Sequence, residues 1–210
     1  MKRCYKPGDS NIKIGIIDIQ GDVREHLDAF KSLDDSLDLI RIKNAGILPY
    51  CDGIVIPGGE STTIGKGLKK KGMFDEIKDF GMNGKPILGT CAGLILLSKG
   101  VYGEERDDLI ELLDVYVERN SYGRQRESFE IEVRFQNRLF NAVFIRAPVI
   151  KRVGNNVKVL AEYNNSPIAV LEGNIMGFCF HPELSRDLIF QDLFLELVRS
   201  NLRKLKTNKI

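Results

Sequence analysis

Apolar, β-branched segments alternate with segments of helical spacing through the first half of the chain. The first apolar segment, IKIGIID at residues 12–18, has the composition of a buried parallel strand, and after Gly21 the stretch VREHLDAFKSL has the spacing of an amphipathic helix. Two further strand-like segments, LDLIRIK and CDGIVIP, follow at short intervals. This alternation predicts a three-layer α/β/α fold, in which helices cover both faces of a mostly parallel sheet.

The alternation continues through a fourth strand. Ser61 and Thr62 can cap a helix that runs towards Phe80. PILGT is then the predicted fourth strand, and AGLILLSKG is the helix expected directly after it.

Short strands with turn signals replace this pattern beyond Gly103, and they predict a partly antiparallel extension of the sheet. Their sequences are SFEIEVRF, NAVFIRAP, VKVLAEY, SPIAVLEG and NIMGFCF. An amphipathic helix from about Arg186 to Leu205 ends the pattern. With no internal repeat and no long linker, we predict a single α/β domain over residues 12–210 behind a polar lead at residues 1–11.

Charge and cysteine usage exclude several classes of function. The 210 residues include 31 basic and 29 acidic side chains, and a net charge of +2 gives no electrostatic case for binding nucleic acid or an anionic membrane. We therefore expect a small substrate. The four cysteines form no C-x-x-C pair, which argues against a zinc site and against a disulfide framework. No signal core and no apolar run of about 18 residues is present, so we expect a cytoplasmic protein.

One short motif points to catalysis. Gly89-Thr-Cys-Ala-Gly93 lies where a predicted strand gives way to a predicted helix. This is the arrangement of the Gly-x-Ser-x-Gly nucleophile elbow, in which small residues allow a sharp turn that exposes the central side chain at the carboxyl edge of the sheet. The helix start also favours a thiolate at Cys91. A buried structural thiol in a glycine-rich turn is the alternative, and the motif alone does not decide between them.

A cysteine nucleophile needs a base, and the chain contains only two histidines. His26 lies on the predicted first helix, where a surface or amphipathic-face position is the simpler interpretation. His181 lies where an apolar strand meets a proline, and Glu183 returns to the same side if the chain stays extended through Pro182. Glu183 can then hold one ring nitrogen and leave the other for the thiol of Cys91, although a strand end with a capping glutamate is the alternative.

The other cysteines are weaker candidates for the nucleophile. Cys179 lies two residues before His181 and can face the same way, but it stands inside an apolar strand without an elbow. Cys51 opens a strand and Cys4 lies in the polar lead, so we expect both to be bystanders.

These residues resemble a known family, the class I (triad-type) glutamine amidotransferases, and within it the glutaminase subunits of pyridoxal-phosphate synthase. The resemblance covers the chain from Ile12 to about Leu205. The motifs that carry it are IQGDVREH, PGGESTT, GTCAGLILL, ERNSYGRQ (Glu118 to Gln125), FIRAP and FHPEL.

The resemblance implies a flavodoxin-like fold and a glutaminase with a Cys-His-Glu triad. Cys91 would be the nucleophile, His181 the general base and acid, and Glu183 its orienting partner. The residues that would hold L-glutamine are Gly59, Glu60, Ser61, Arg119, Ile145 and Arg146. The oxyanion would be met by backbone N–H groups of Ala92 and of the Gly58-Gly59 loop. No metal or organic cofactor is implied.

The resemblance also implies a partner. Ammonia would pass to the synthase subunit of pyridoxal-phosphate synthase in a hetero-oligomer, with a contact surface that includes the loop around Gln20 and Gly21. Three alternatives stay open: the glutaminase subunit of another amidotransferase, such as that of histidine biosynthesis, a hydrolase or peptidase with a related elbow, and a non-catalytic regulatory subunit on the same fold.

Overall fold

The computed structural model describes residues 11–119 and 128–207. Within these residues the chain forms twelve strands, and most of them have apolar, β-branched sequences that favour extended backbone. The strands are β1 Lys13–Ile17, β2 Asp38–Ile42, β3 Gly53–Ile56, β4 Ile87–Thr90, β5 Ser98–Val101, β6 Leu113–Glu118, β7 Ser128–Phe135, β8 Arg138–Ile145, β9 Val149–Val153, β10 Lys158–Tyr163, β11 Ser166–Glu172 and β12 Ile175–Phe178.

A seven-stranded sheet in the order β10-β11-β12-β4-β3-β1-β2 forms the centre of the fold. Strands β2, β1, β3, β4 and β12 are parallel neighbours, whereas β11 and β10 continue the sheet in antiparallel pairing. Every residue of β3, β4 and β12 is buried, as expected for parallel strands covered on both faces. The predicted α/β class, with its partly antiparallel extension, is confirmed.

The helices form two groups. Their bounds are α1 Val23–Leu33, α2 Ser61–Lys70, α3 Met73–Met82, α4 Ala92–Leu97 and α5 Ile189–Thr207. Helix α1 packs against α5, whereas α2 contacts α3 and α4. The apolar faces of these helices and the central strands form one continuous hydrophobic core.

Two helix predictions were wrong in detail. The helix expected to run towards Phe80 is divided into α2 and α3 at Gly72, whose φ of 68° is in the left-handed region that glycine tolerates. Its cap is Glu60 rather than Ser61 or Thr62, because the Glu60 carboxylate accepts hydrogen bonds from the first-turn N–H groups of α2. The final helix begins at Ile189, three residues after the predicted start.

The region after the elbow also differs from the prediction. Helix α4 ends at Leu97, and Ser98 begins β5, which pairs with β6 in a separate sheet of three strands, β5-β6-β9. None of these three strands was predicted, although Leu113, Val115 and Val117 of β6 alternate as buried residues. Strands β7 and β8 form a further two-stranded hairpin.

Parallel pairing brings four chain segments to one edge of the central sheet. Strands β1, β3, β4 and β12 all end there, so the residues that follow Ile17, Ile56, Thr90 and Phe178 meet at their carboxyl edge. In open α/β sheets this is the edge where ligands bind.

Candidate active site

Cys91 occupies a strained turn between β4 and α4. Its φ of 48° and ψ of −99° lie outside the common regions for a residue with a side chain, and its N–H donates to the Phe178 carbonyl at 2.8 Å. The flanking glycines are required by packing, since a Cβ on Gly93 would meet the Ile56 carbonyl and one on Gly89 would meet the backbone of Gly93. The turn therefore has the geometry of a nucleophile elbow, and Cys91 is 6% exposed.

His181 and Glu183 are bonded to each other beside this elbow. The Nδ1 atom of His181 lies 2.8 Å from Oε1 of Glu183, and both side chains are buried. The expected extended path through Pro182 is wrong, because Pro182–Leu184 forms a single 3-10 turn that begins directly after His181. His181 and Glu183 contact each other across that turn instead. The His181 backbone is held by its N–H, which donates to the Val143 carbonyl at 2.8 Å.

A second carboxylate, which the sequence analysis missed, also reaches this imidazole. Oδ2 of Asp22 lies 3.2 Å from Nδ1 of His181. The hydrogen bond with His181 lowers the pKa of Asp22. Asp22 follows the carboxyl end of β1, and this position at the edge of the sheet was the one signal in the sequence that could have indicated it.

His26 lies on the buried face of α1 with Val23 and Phe30, so the amphipathic-face expectation is confirmed and the surface alternative is wrong. Its side chain is fully buried, and its Nε2 lies 3.1 Å from Oγ1 of Thr90 and 3.5 Å from Oε1 of Glu183. Burial lowers the pKa of His26, so the ring is neutral near pH 7. His26 therefore packs against the Glu183 carboxylate as an uncharged neighbour.

The imidazole of His181 is strongly basic. Burial alone lowers its pKa, but interactions with the Asp22, Cys91 and Glu183 side chains outweigh burial and raise the pKa to about 12. Its Nε2 is buried and has no hydrogen-bond partner among the residues that the structure describes. A ring this basic keeps at Nε2 the proton that it takes from the Cys91 thiol, while the carboxylates accept from Nδ1–H.

The Gly58-Gly59 loop packs directly on this imidazole. A Cβ on Gly58 would meet Cε1 of His181 and, at 2.7 Å, Oδ2 of Asp22, so only glycine fits there. Gly59 has a φ of 151°, and the next N–H, that of Glu60, donates to Oε1 of Gln20 at 2.8 Å. Ala92, the other predicted oxyanion donor, is the first residue of α4.

The residues predicted to hold glutamine fall into two sets. Arg119 bonds Oε1 of Glu60 at 3.3 Å and Oε2 of Glu104 at 3.0 Å, beside the start of α2. The Ser61 hydroxyl accepts from Arg106 at 3.0 Å. Hydrogen-bonded arginines and carboxylates thus surround the start of α2. Their role in binding glutamine stays a prediction.

The second set lies at the thiol. The carbonyl of Ile145 accepts from the Cys91 thiol at 3.8 Å, whereas the next residue, Arg146, is exposed with a φ of 44°. Of the ERNSYGRQ motif, residues 120–125 lie outside the described residues.

Arg106 and Asp108 were also missed from the sequence. The Arg106 guanidinium is 6% exposed and forms two hydrogen bonds with the Asp108 carboxylate, at 2.6 and 2.8 Å. Such a two-pronged pair fixes the guanidinium, which in turn orients the hydroxyl of Ser61.

The rival cysteines have different surroundings. Burial raises the pKa of the Cys179 thiol far above its usual range, and that thiol donates to the Pro167 carbonyl at 3.9 Å. Burial also raises the pKa of Cys51 to about 11. High pKa values suppress the reactive thiolate, so both residues fit a structural role. Cys4 lies outside the described residues.

Asp22, His181 and Glu183 are the one group of possible metal ligands within the described ranges, with ligand atoms that lie within 4.8 Å of one another. Both carboxylates already contact the same imidazole nitrogen, an arrangement that supports proton transfer.

None of the helices in the described part of the chain has the length and apolar character needed to cross a membrane.

Comparison with known proteins decides the family. A model of the SNO glutamine amidotransferase family matches residues 16–200. The chain belongs to this family. Its curated relatives include the pyridoxal 5'-phosphate synthase subunit PdxT of Methanothrix thermoacetophila, which is 46% identical over 88% of this chain and 98% of that protein. PdxT of Oceanobacillus iheyensis is 40% identical over 91% of this chain and 96% of that protein.

Solved structures agree with membership of the SNO family. A glutamine amidotransferase crystal structure with 39% sequence identity matches with a TM-score of 0.84 and covers 88% of this chain and 98% of that one. A second glutamine amidotransferase, from Thermotoga maritima, matches with a TM-score of 0.59 at 16% identity, over 94% of this chain and 86% of that one, and shows the fold alone. The predicted resemblance to glutamine amidotransferases is confirmed.

Proposed function

We propose that this chain hydrolyses L-glutamine to L-glutamate and ammonia as the glutaminase subunit of a pyridoxal 5'-phosphate synthase. The observation that carries the proposal is the Cys91 elbow beside the bonded pair of His181 and Glu183. Membership of a glutamine amidotransferase family and 40–46% identity to PdxT subunits support the choice of substrate and of assembly.

The first half of the reaction forms a thioester. The imidazole of His181 takes the thiol proton of Cys91, and the thiolate attacks the side-chain carboxamide carbon of glutamine. The negative charge moves to the carboxamide oxygen, which backbone N–H groups of Ala92 and of the Gly58-Gly59 loop stabilise. His181 then gives its proton to the departing nitrogen, and the carbon–nitrogen bond breaks to leave ammonia and a γ-glutamyl thioester.

The second half regenerates the thiol. His181, now neutral, takes a proton from water as that water attacks the thioester carbonyl. The carbon–sulfur bond breaks, glutamate leaves, and the proton returns to the sulfur of Cys91. In both halves Glu183 holds Nδ1 and stabilises the imidazolium.

The amino-acid end of glutamine needs charged partners. We assign its α-carboxylate to the Arg119 guanidinium, since arginine binds carboxylates with paired hydrogen bonds. Glu60 and Glu104 now bond this guanidinium, and either carboxylate can accept from the α-ammonium group instead. We assign Gly59, Ile145 and Arg146 to the same glutamine site, because the carbonyl of Ile145 accepts from the Cys91 thiol.

The synthase partner is proposed on chemical and geometric grounds. Free ammonia is protonated and diluted in neutral water, so a docked synthase subunit that receives it directly avoids this loss. The docking surface that we propose includes the loop at residues 20–22, which is bonded to the Gly58-Gly59 loop through Gln20 and Glu60. A cytoplasmic location stays a prediction.

Docking is expected to activate the glutaminase. The isolated chain should hydrolyse glutamine slowly, and addition of the purified synthase subunit should raise kcat at least about tenfold, because contact with residue 20 aligns the oxyanion donors. Gln20→Trp should reduce this stimulation. Release of glutamate, measured with and without the synthase subunit, checks both expectations.

The matched control is Asp35→Trp, which places the same ring on a residue just before β2, at the opposite edge of the sheet. This variant should be stimulated like the wild type. Full activity of the isolated chain, unchanged by the synthase subunit, would mean that the chain is a free-standing glutaminase.

A further inference from the structure

The imidazole of His181 has one carboxylate more than a Cys-His-Glu triad requires. Glu183 and Asp22 both contact Nδ1, at 2.8 and 3.2 Å. A single N–H at Nδ1 can satisfy one carboxylate fully, and one carboxylate is sufficient to fix the tautomer. The triad therefore does not explain why the second carboxylate contacts this nitrogen.

The two carboxylates differ in their surroundings. The Glu183 side chain is fully buried and also lies 3.5 Å from Nε2 of His26. The Asp22 side chain, in contrast, is 33% exposed. Within the described residues, the other titratable groups that interact with His181 are the thiol of Cys91 and the neutral ring of His26, so Asp22 and Glu183 supply the negative charge at the imidazole.

Asp22 is hydrogen-bonded to the Gly58-Gly59 loop as well as to His181. Its N–H donates to the Gly58 carbonyl at 3.2 Å, and its Oδ2 and the His181 ring both border the Cα of Gly58. Its neighbour Gly21 also packs on that carbonyl with no room for a side chain. A shift of the loop at residues 20–22 would thus move the Asp22 carboxylate, which contacts the His181 imidazole.

We propose that Asp22 is a positioning residue of the glutaminase, which stabilises the protonated imidazole of His181 together with Glu183 and links that charge to the position of the loop at residues 20–22. The link to docking rests on the proposed function. The contact between Asp22 and His181 does not depend on it.

The sign of the effect follows from the charge. The reaction needs a protonated His181 when ammonia leaves, and a nearby negative charge keeps the proton on the ring to higher pH. Without that charge the imidazolium loses its proton at lower pH. The alkaline limb of the kcat/KM profile should therefore move to lower pH, whereas KM for glutamine should stay within about twofold, because Asp22 does not hold the substrate.

Asp22→Asn tests this directly, because the amide keeps the size and the acceptor oxygen and removes only the charge. An opposite charge at this range shifts a pKa by about 1 to 3 units, and the partial exposure of Asp22 places the expected shift near the lower end, at about one pH unit. Asp22→Glu should restore the wild-type alkaline limb. The profile is measured for glutamine hydrolysis in the presence of the synthase subunit.

The matched control is Asp18→Asn. Asp18 follows the same strand and pairs with Arg41 and Lys43, so its loss removes an equal charge away from His181 and should leave the limb unmoved. Coincident alkaline limbs for the wild type and Asp22→Asn would overturn the proposal.

A second measurement needs no glutaminase activity. The chain contains only His26 and His181, so the titration of the His181 ring can be followed by its Cε1–H resonance in the free chain. Its midpoint should fall by about one pH unit in Asp22→Asn and recover in Asp22→Glu. An unshifted midpoint refutes the role of Asp22. A shifted midpoint in a chain that does not hydrolyse glutamine even with the synthase subunit refutes the proposed function and leaves the contact between Asp22 and His181 in place.

Discussion

Replacement of Cys91 by alanine should abolish glutamine hydrolysis. No thioester can form without the sulfur, and loss of a nucleophile in a comparable triad costs about 10⁶-fold in kcat. The fold should survive, because the Cys91 side chain is small and alanine introduces no larger group. Glutamate release in the presence of the synthase subunit measures the activity, and circular dichroism checks the fold.

Cys179→Ala is the matched control for this experiment. Cys179 is equally small and buried, but its thiol donates to the Pro167 carbonyl. This variant should keep most of the wild-type rate. Substantial hydrolysis by Cys91→Ala, or loss of hydrolysis in Cys179→Ala alone, would show that the elbow does not carry the nucleophile.

Glu183→Gln should lower kcat by about 10² to 10³-fold. The amide keeps the size of the side chain but removes the charge that supports the imidazolium, and the equivalent change in a serine triad costs about 10⁴-fold. We expect a smaller loss here because Asp22 also contacts Nδ1 of His181. Cys91 should still react with iodoacetamide, which separates a damaged base from a damaged fold.

Glu162→Gln, an exposed change on β10, is the control for loss of a glutamate charge. It should leave kcat unaltered. An unchanged rate in Glu183→Gln would mean that Glu183 has no role in catalysis and is only a residue at the end of a strand.

The central sheet could be predicted because its signals are local. Buried parallel strands are continuous apolar runs, and the turn residues between them mark where each strand ends. Parallel pairing then places the elbow at Cys91 and the His-Pro-Glu segment at one edge, although they are 90 residues apart in sequence. Glu183 was expected to meet His181 through an extended chain, and a 3-10 turn produces the same contact.

The missed features depend on tertiary contacts. Helical periodicity places His26 on a face of α1 but does not show that Glu183 packs against that face. Asp22 contacts His181 across 159 positions of sequence, and no local pattern reports such a pair. Strand β5, SKGV, has weak strand propensity and exists because β6 pairs with it.

The most direct test of the account is to find which thiol reacts with a glutamine analogue that carries a diazo ketone in place of the carboxamide. The chain is incubated with this analogue and the synthase subunit, digested, and analysed by mass spectrometry. The account predicts one adduct, on Cys91, whose formation excess glutamine slows. An adduct on Cys179 or Cys51, or labelling of Cys91 that glutamine does not affect, would contradict it.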